Sequence, residues 1–386
     1  MKILHLTHTD ILHDARILKE MQTITNSNRA YNVHGIGVVL DEGSTATSDS
    51  EGIDVHAIIL KSRAWKFLPT VLRHILTLFE LTFKMFFQAL RLKPDVVHCH
   101  DTLVLPLGVV IKIFTRSKLI YDAHELESNR NGLSKSLGKM TLYTEKILWR
   151  YVDKLIVVSP SIQKWYKENL GGEKSSEVIL NSPILKIFDE QVDRNYLRTK
   201  FLIPENSKIF IYVGILGIGR GIEDFLEVFK SRDINSHLVF CGYGEMKDDL
   251  TKISQRFKNI HLHDAVPHEK VVSIAKSADI GLCFVENVSL SDYYCLPNKL
   301  FEYAFAEIPV LASSFPDITT VVEKYKLGKC SDIDFDSMYK VIKEFEKMET
   351  LPQINKDDLY DLSWAAQEKK LVRLYEDIIK EINKEN

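Results

Sequence analysis

The chain alternates short, continuously apolar runs with longer segments of helical period, and this alternation restricts its fold more than any other feature. In the first half the apolar runs are Lys2–Thr7, Val33–Val39, Val55–Leu60, Val96–His98, Leu119–Tyr121, Leu155–Val158 and Val178–Leu180. Ile209–Val213, His237–Cys241, Ile260–Leu262, Ile280–Phe284 and Val310–Ala312 continue the series in the second half. Helices are expected over Ala15–Thr25, Val71–Leu92, Leu103–Phe114, Met140–Tyr151 and Ser161–Asn169. Further helices are expected over Ile222–Lys230, Lys247–Phe257, Lys270–Ser277, Lys299–Phe305, Ile318–Tyr325 and Met338–Lys347. Strands that are apolar along their whole length are covered on both faces, and strands joined through helices run parallel. The class is therefore α/β, with two doubly wound, Rossmann-like domains. Such sheets bind ligands beyond the carboxyl ends of their strands, so two of them facing each other would enclose a cleft.

A length of 386 residues fits two domains. The polar stretch Asn181–Lys208, with Pro183 and Pro204, separates two complete β/α runs, which sets the domains at residues 1–185 and 205–362. A formal net charge of −3 gives no electrostatic case for nucleic acid. Cys99, Cys241, Cys283, Cys295 and Cys330 are scattered without a CxxC pair, as expected of reduced, mostly buried thiols in a cytoplasmic protein. Met1–Thr7 reads as a first strand and not as a signal peptide. The longest apolar stretch, Phe67 to Leu92, is interrupted by Arg73, Glu80, Lys84, Gln88 and Arg91 and falls short of a spanning helix.

That stretch carries a narrow polar stripe, and its apolar face is wider than a core helix requires. Lys61, Arg63 and Lys66 precede it, and Arg91 and Lys93 close it. Two readings of Val71–Leu92 stand: docking on an anionic membrane surface, or a helix buried between the sheet and its neighbours.

The segment Leu296–Val310 concentrates anion-binding chemistry. Pro297 opens a helix at no hydrogen-bond cost, because the first amide donors have no intrahelical partner. Those amides and the positive helix end attract an anion, Lys299 adds a cation, and Glu302 lies one turn on. This arrangement suits a diphosphate beside ligand hydroxyls. Earlier in the same half, Ile209–Gly221 runs a strand into a glycine-rich loop holding Gly214 and Arg220, and an arginine pairs bidentately with phosphate. The bland alternative there is a tight turn with a solvated arginine. Cys241–Glu245 is read as a turn, and Asp332-Ile333-Asp334 as a helix cap.

In the first half, Leu119–Glu125 is a strand ending in polar residues, which would put His124 and Glu125 at its carboxyl tip. His98 and His100 share one strand face, but no third metal ligand has recognisable spacing, so no metal is expected. Thr9–Arg16 opens the first helix; Asp14 suits a helix cap, and the loop's place at the cleft rim also suits ligand contact.

These residues together resemble the retaining, GT-B-fold glycosyltransferases of family 4, which build bacterial surface polysaccharides. Pro297–Tyr303 followed by Pro309-Val310 is similar to that family's donor-site signature, and Ala278–Gly281 to the unit beside it. Pro94–His100, Tyr121–Glu125 and Val158-Ser159 resemble its acceptor domain, and Leu362-Ser363-Trp364 its closing segment. The resemblance implies that the last helix, within residues 363–386, packs back on the first domain. It implies a nucleotide-diphospho sugar donor, most often linked to UDP, and a glycan or lipid-linked acceptor. Glu302 would bond the ribose, Arg220, Lys299 and the amides near Pro297 and Asn298 the diphosphate, and Val266 would lie by the base. His124 would stand at the reacting centre, with Asp14, Arg16, His100 and Glu125 on the acceptor side. No metal or other cofactor is implied. The expected place is cytoplasmic, peripheral on the inner face of the membrane.

Two positions depart from the family. It often carries two glutamates separated by seven residues; Glu302 fits the second, but Tyr294 stands at the first. In the glycine-rich loop, Ile215 stands where the family has arginine and Arg220 where it has lysine. A nucleotide-sugar epimerase of the same fold and a noncatalytic nucleotide-sugar-binding subunit are the alternatives.

Overall fold

The computed structural model describes residues 1–39, 49–50, 52–171, 174–184 and 193–385. The chain divides into a first unit, Met1–Ile179 with Glu368–Asn386, and a second unit, Leu180–Gln367. Residues 185–192 of the expected linker, including the expected end of the first domain, lie outside the described residues.

The first unit is built on an eight-stranded sheet in the order β3-β4-β2-β1-β5-β6-β7-β8. Its strands are β1 (Lys2–Asp10), β2 (Asn32–Val38), β3 (Asp49–Ser50), β4 (Ile53–Ile58), β5 (Val96–His100), β6 (Lys118–Ala123), β7 (Lys154–Val157) and β8 (Ser175–Val178). Every pairing is parallel except that of β3 with β4. The order reverses between β1 and β5, which is the switch point where such sheets leave a ligand crevice. β8 begins three residues before the expected Val178–Leu180 run. As an edge strand it needs no continuous apolar sequence, and its residues are half-buried or exposed.

The second unit holds a six-stranded sheet in the order β11-β10-β9-β12-β13-β14, with all pairs parallel. These strands are β9 (Ile209–Ile215), β10 (His237–Tyr243), β11 (Ile260–Asp264), β12 (Ile280–Cys283), β13 (Val310–Ser313) and β14 (Gly328–Ser331). Here the switch point falls between β9 and β12. The polar edge strand β14 escaped sequence reading for the same reason as β8. A six-residue helix, Tyr196–Phe201, was also missed because it is too short for a period; Arg198 ties it to Asp279 Oδ2 at 2.8 Å.

The second core stacks Phe210, Phe225, Phe229, Phe240, Phe284 and Phe345 between sheet and helices. Each such side chain contributes roughly 1.5–3 kcal/mol on burial. Two glycines let main chains close. A Cβ on Gly242 would sit 1.8 Å from the Gly214 carbonyl oxygen, so the ends of β9 and β10 approach as they do only without one. A Cβ on Gly281 would sit 2.3 Å from the Tyr303 ring. That ring enters the space, and its hydroxyl accepts from Val213 N–H at 2.9 Å, which fixes the Asn298–Phe305 helix against the sheet.

Two helices of the first unit bear on function. α1 (Ala15–Ser27) starts at Asp14, whose carboxylate accepts from Ile17 N–H at 3.2 Å. α2 (Thr70–Leu92) buries only Leu81, Met85 and Ala89. Val71 is 72%, Phe79 69% and Phe83 65% exposed, which rules out the core-helix reading. Among the described residues no helix is long and apolar enough to cross a membrane. The last helix, Trp364–Glu385, starts in the second unit and belongs to the first from Glu368 on, where Tyr375 is buried and Glu381 pairs with Lys154 at 2.8 Å.

Candidate active site

Of the helices that begin at the carboxyl edge of the second unit's sheet, two follow the switch-point strands β9 and β12 and differ in their electrostatics. The Ile222–Phe229 helix carries Glu223 and Asp224 in its first turn, and Gly221 N–H already donates to Glu286 Oε1 at 3.0 Å. An anion gains little there. The Asn298–Phe305 helix has no acidic residue in its first turn and no side-chain cap at Pro297; Leu300 N–H bonds the Pro297 carbonyl at 3.0 Å, which leaves the Asn298 and Lys299 amides for a ligand. Lys299 turns back over the Tyr212 ring, with Nζ 3.9 Å from the centroid. Its Nζ is buried without a hydrogen-bond partner, which leaves three N–H donors to satisfy.

The glycine-rich loop contributes its arginine rather than a helix end. Burial raises the Cys295 thiol, and Arg220 and Lys299 both lower it, so both cations lie within electrostatic range of that sulfur. Glu302 is buried, and His268 Nδ1 lies 3.6 Å from its Oε1. His268 follows Val266 by two residues, so the Val266 loop borders Glu302. Tyr294 ends the short Leu290–Tyr293 helix, which is capped by Ser289. Asp334 of the DxD triplet caps the Phe335–Lys347 helix by accepting from Ser337 N–H at 2.8 Å, as its spacing suggested.

In the first unit the ends of β1, β5 and β6 carry a dense polar cluster. Asp122 on β6 is fully buried and accepts from Arg16 Nη2 at 3.2 and 3.3 Å. Arg16 also holds Glu20 at 3.0 Å and donates to the Ile179 carbonyl at 3.2 Å. Burial pushes the Asp122 carboxyl up, but Arg16 and His124 outweigh it and hold it well below the usual range. Glu20 goes the other way, raised by burial and then by Asp122.

His124 follows β6 with its side chain 19% exposed. Burial lowers its pKa, but Asp122 and Asp101 dominate and hold it at about 9, so it is an imidazolium at neutral pH. Its Nε2 faces inward, 3.1 Å from His100 Nδ1 and 3.3 Å from Asp122 Oδ2. Its Nδ1 lies 3.8 Å from Asp101 Oδ1, beyond hydrogen-bonding distance. Behind it, His100 Nε2 meets His5 Nδ1 at 3.0 Å, His5 Nε2 meets Tyr375 Oη at 3.3 Å, and Tyr375 Oη meets His98 Nδ1 at 2.7 Å. His98 Nε2 lies 3.5 Å from Asp122. Burial lowers His5, His98 and His100, which are neutral. One assignment satisfies the chain: each Nε2–H donates onward from His124, and Tyr375 donates to His98.

Two readings change. Arg16 and His100, expected on the acceptor side, are buried and partnered, so they cannot touch a ligand and instead hold Asp122 and His124. Asp14 is engaged as the α1 cap, whereas Glu125 is exposed. His98 and His100 do have a third imidazole beside them, His5, which pairs with His98 across β1 and β5. Sequence spacing could not show it, because the pairing is between strands. Asp101, held at φ 68° where a non-glycine residue is strained, and His8 were also missed. A polar residue ending an apolar strand was the available signal for both.

Two family models match the chain: Glycosyltransferase Family 4 over residues 33–182 and Glycosyl transferases group 1 over residues 193–357. An uncharacterized glycosyltransferase of Methanocaldococcus jannaschii is 24% identical over 300 residues, 73% of this chain and 75% of that one. A Bacillus subtilis protein named "Putative teichuronic acid biosynthesis glycosyltransferase TuaC" is 21% identical over 270 residues, 70% of this chain and 66% of its own. Sucrose-phosphate synthase of Thermosynechococcus elongatus superposes with a TM-score of 0.79 at 14% identity, covering 98% of this chain and 99% of that one. Anabaena HepE in complex with UDP gives 0.73 at 14%, covering 98% and 100%. The chain is a glycosyltransferase of the GT-B type.

Proposed function

We propose that this enzyme moves one hexose from a UDP-sugar to a glycan or lipid-linked acceptor, with retention of anomeric configuration, in the synthesis of a surface polysaccharide. The observation that carries the reading is the uncapped, acid-free start of the Asn298–Phe305 helix, with the unpartnered Lys299 Nζ beside it and Arg220 close by. Helix amides and two cations suit a diphosphate, and Glu302 suits ribose hydroxyls one turn on. The UDP in the HepE complex and the name of the Bacillus relative support the donor and the pathway.

In the reaction the bond from the anomeric carbon to the diphosphate oxygen breaks and a bond to an acceptor hydroxyl oxygen forms. The hydroxyl proton passes to the departing diphosphate on the same face. Cations and amides neutralise the developing charge, so the reading needs no metal. His124, held as an imidazolium, donates from Nδ1 at the reacting sugar and does not act as a base. Arg220→Ala and Glu302→Ala are each expected to weaken UDP binding about tenfold to a hundredfold in calorimetry. Unchanged affinity in both variants would overturn the donor site.

The working location is the anionic inner face of the membrane. The exposed Val71, Phe79, Phe83 and Phe87 of α2 supply the apolar face, and Lys61, Arg91 and Lys93 the positive charge. Phe79→Asp with Phe83→Asp is expected to release the protein from phosphatidylglycerol vesicles in a flotation assay. Equal retention of both forms would exclude α2 as the docking face.

A further inference from the structure

Two cavities of the first unit meet at His8 and Leu103. The larger, about 600 Å³, is lined by Arg63, Lys66, Arg73 and His74 together with the apolar Leu78 and Leu81. The smaller, about 280 Å³, adds Thr102, Glu127 and Arg130. A volume of 600 Å³ lies within the range of sites that enclose a small molecule.

The charge of the larger cavity is one-sided. Among the described residues no carboxylate lines it, and Arg63, Lys66 and Arg73 have no ion-pair partner. Glu80, the single acid of α2, is already engaged elsewhere. It accepts from Lys61 and Ser62 N–H at 3.1 and 2.8 Å and pairs with Lys84 at 2.6 Å. α2 also begins beside these cations without a side-chain cap or an acid in its first turn, so its free amides add to the positive field. A cavity whose described lining holds several unpaired cations and no acid is complementary to a multiply charged anion.

The two ends of this space differ. At one end Leu78 lines the cavity and also belongs to the exposed apolar face of α2. At the other, His8 lines both cavities, and its Nδ1 is buried without a hydrogen-bond partner. His8 lies near enough to Asp101 and His124 for their charges to act on it. The space therefore runs from an apolar surface, past a cationic wall, to the polar cluster around His124.

We infer that these cavities are the acceptor site, and that they take a phosphate or diphosphate on a lipid chain whose sugar end points to His8. The phosphate sits against Arg63, Lys66 and Arg73, and the chain leaves over the apolar face of α2. This inference rests on the glycosyl-transfer reading, because only a transferase needs an acceptor there.

Farnesyl diphosphate serves as the probe, farnesol as its uncharged control, and calorimetry as the readout. The native protein is expected to bind the diphosphate and not the alcohol. Arg63→Ala/Lys66→Ala/Arg73→Ala should weaken that binding at least tenfold and leave UDP affinity unchanged, which also shows that the second unit is intact. Absence of farnesyl diphosphate binding, or equal binding by both proteins, would overturn the site. So would a triple variant that detaches from phosphatidylglycerol vesicles yet still binds the probe, because its cations would then serve lipid headgroups. The Arg220 and Glu302 variants separate the two readings. If they keep UDP affinity while the triple variant loses the probe, the anion site stands and the donor site falls. The converse result leaves the donor site standing and removes this one.

Discussion

His124→Ala is expected to lower turnover by about 10²–10³-fold, the usual cost of removing one donor aimed at developing charge, while UDP affinity stays within about twofold. The asymmetry follows from where the residues sit. The nucleotide is assigned to Arg220, Lys299 and Glu302 of the second unit, whereas His124 belongs to the first. Turnover should also fall at alkaline pH, with its midpoint at about 9, where the imidazolium loses its proton. The sign is fixed by the raised pKa: the charged form, and the stability it contributes, are complete below the ordinary value of 6.5 and lost as pH rises through about 9. Asp101→Asn removes one of the two carboxylates holding the proton and should move that midpoint to lower pH. Turnover that stays level through pH 10, or an unchanged midpoint in the Asp101 variant, would remove the imidazolium from the mechanism.

Much of this architecture was legible because parallel strands advertise themselves. β5, β6, β9, β10 and β12 are apolar over most of their length and were found close to their true bounds. Edge strands β8 and β14 were displaced or missed, since one open edge relaxes the demand for apolar residues. The helix at Lys135–Leu148 starts five residues before its apolar period because Ser134 caps it, accepting from Leu137 N–H at 3.3 Å. The second-unit residues were readable since they lie within one short segment, Pro297–Glu302, whose helix start has a local signature. The first-unit cluster was not readable as a cluster. His5, Arg16, His100, Asp122 and Tyr375 come from strands and helices far apart in the chain, and only strand pairing and the docking of the last helix bring them together. Spacing marked His124 but could not show that Arg16 and His100 stand behind it.

Arg16→Ala is expected to destabilise the first unit by about 3–5 kcal/mol at neutral pH, the cost of stripping one partner from a buried ion pair. Asp122 and Glu20 are both fully buried, and Arg16 is the cation bonded to both. Without it, His124 alone opposes the Asp122 carboxylate, which water cannot reach; Glu20, raised by burial and by Asp122 to about 8, is already mostly protonated at neutral pH. Arg16→Lys should recover only part of the loss, because one ammonium cannot reproduce the fork that reaches Asp122, Glu20 and the Ile179 carbonyl. The effect must also depend on pH in one direction. Asp122 is depressed in the folded protein, so its stabilising share is present above its ordinary value near 3.8 and lost as pH falls below it. The gap between native protein and variant should therefore be widest at neutral pH and close as Asp122 protonates. Urea unfolding followed by tryptophan fluorescence in a Trp364→Phe background, which leaves Trp65, Trp149 and Trp165 of the first unit as the emitters, measures that gap. UDP binding, assigned to the second unit, should survive in the same variant. A loss below about 1 kcal/mol, or a gap that widens on acidification, would show that Arg16 does not hold the cluster and that His124 owes its charge to other groups.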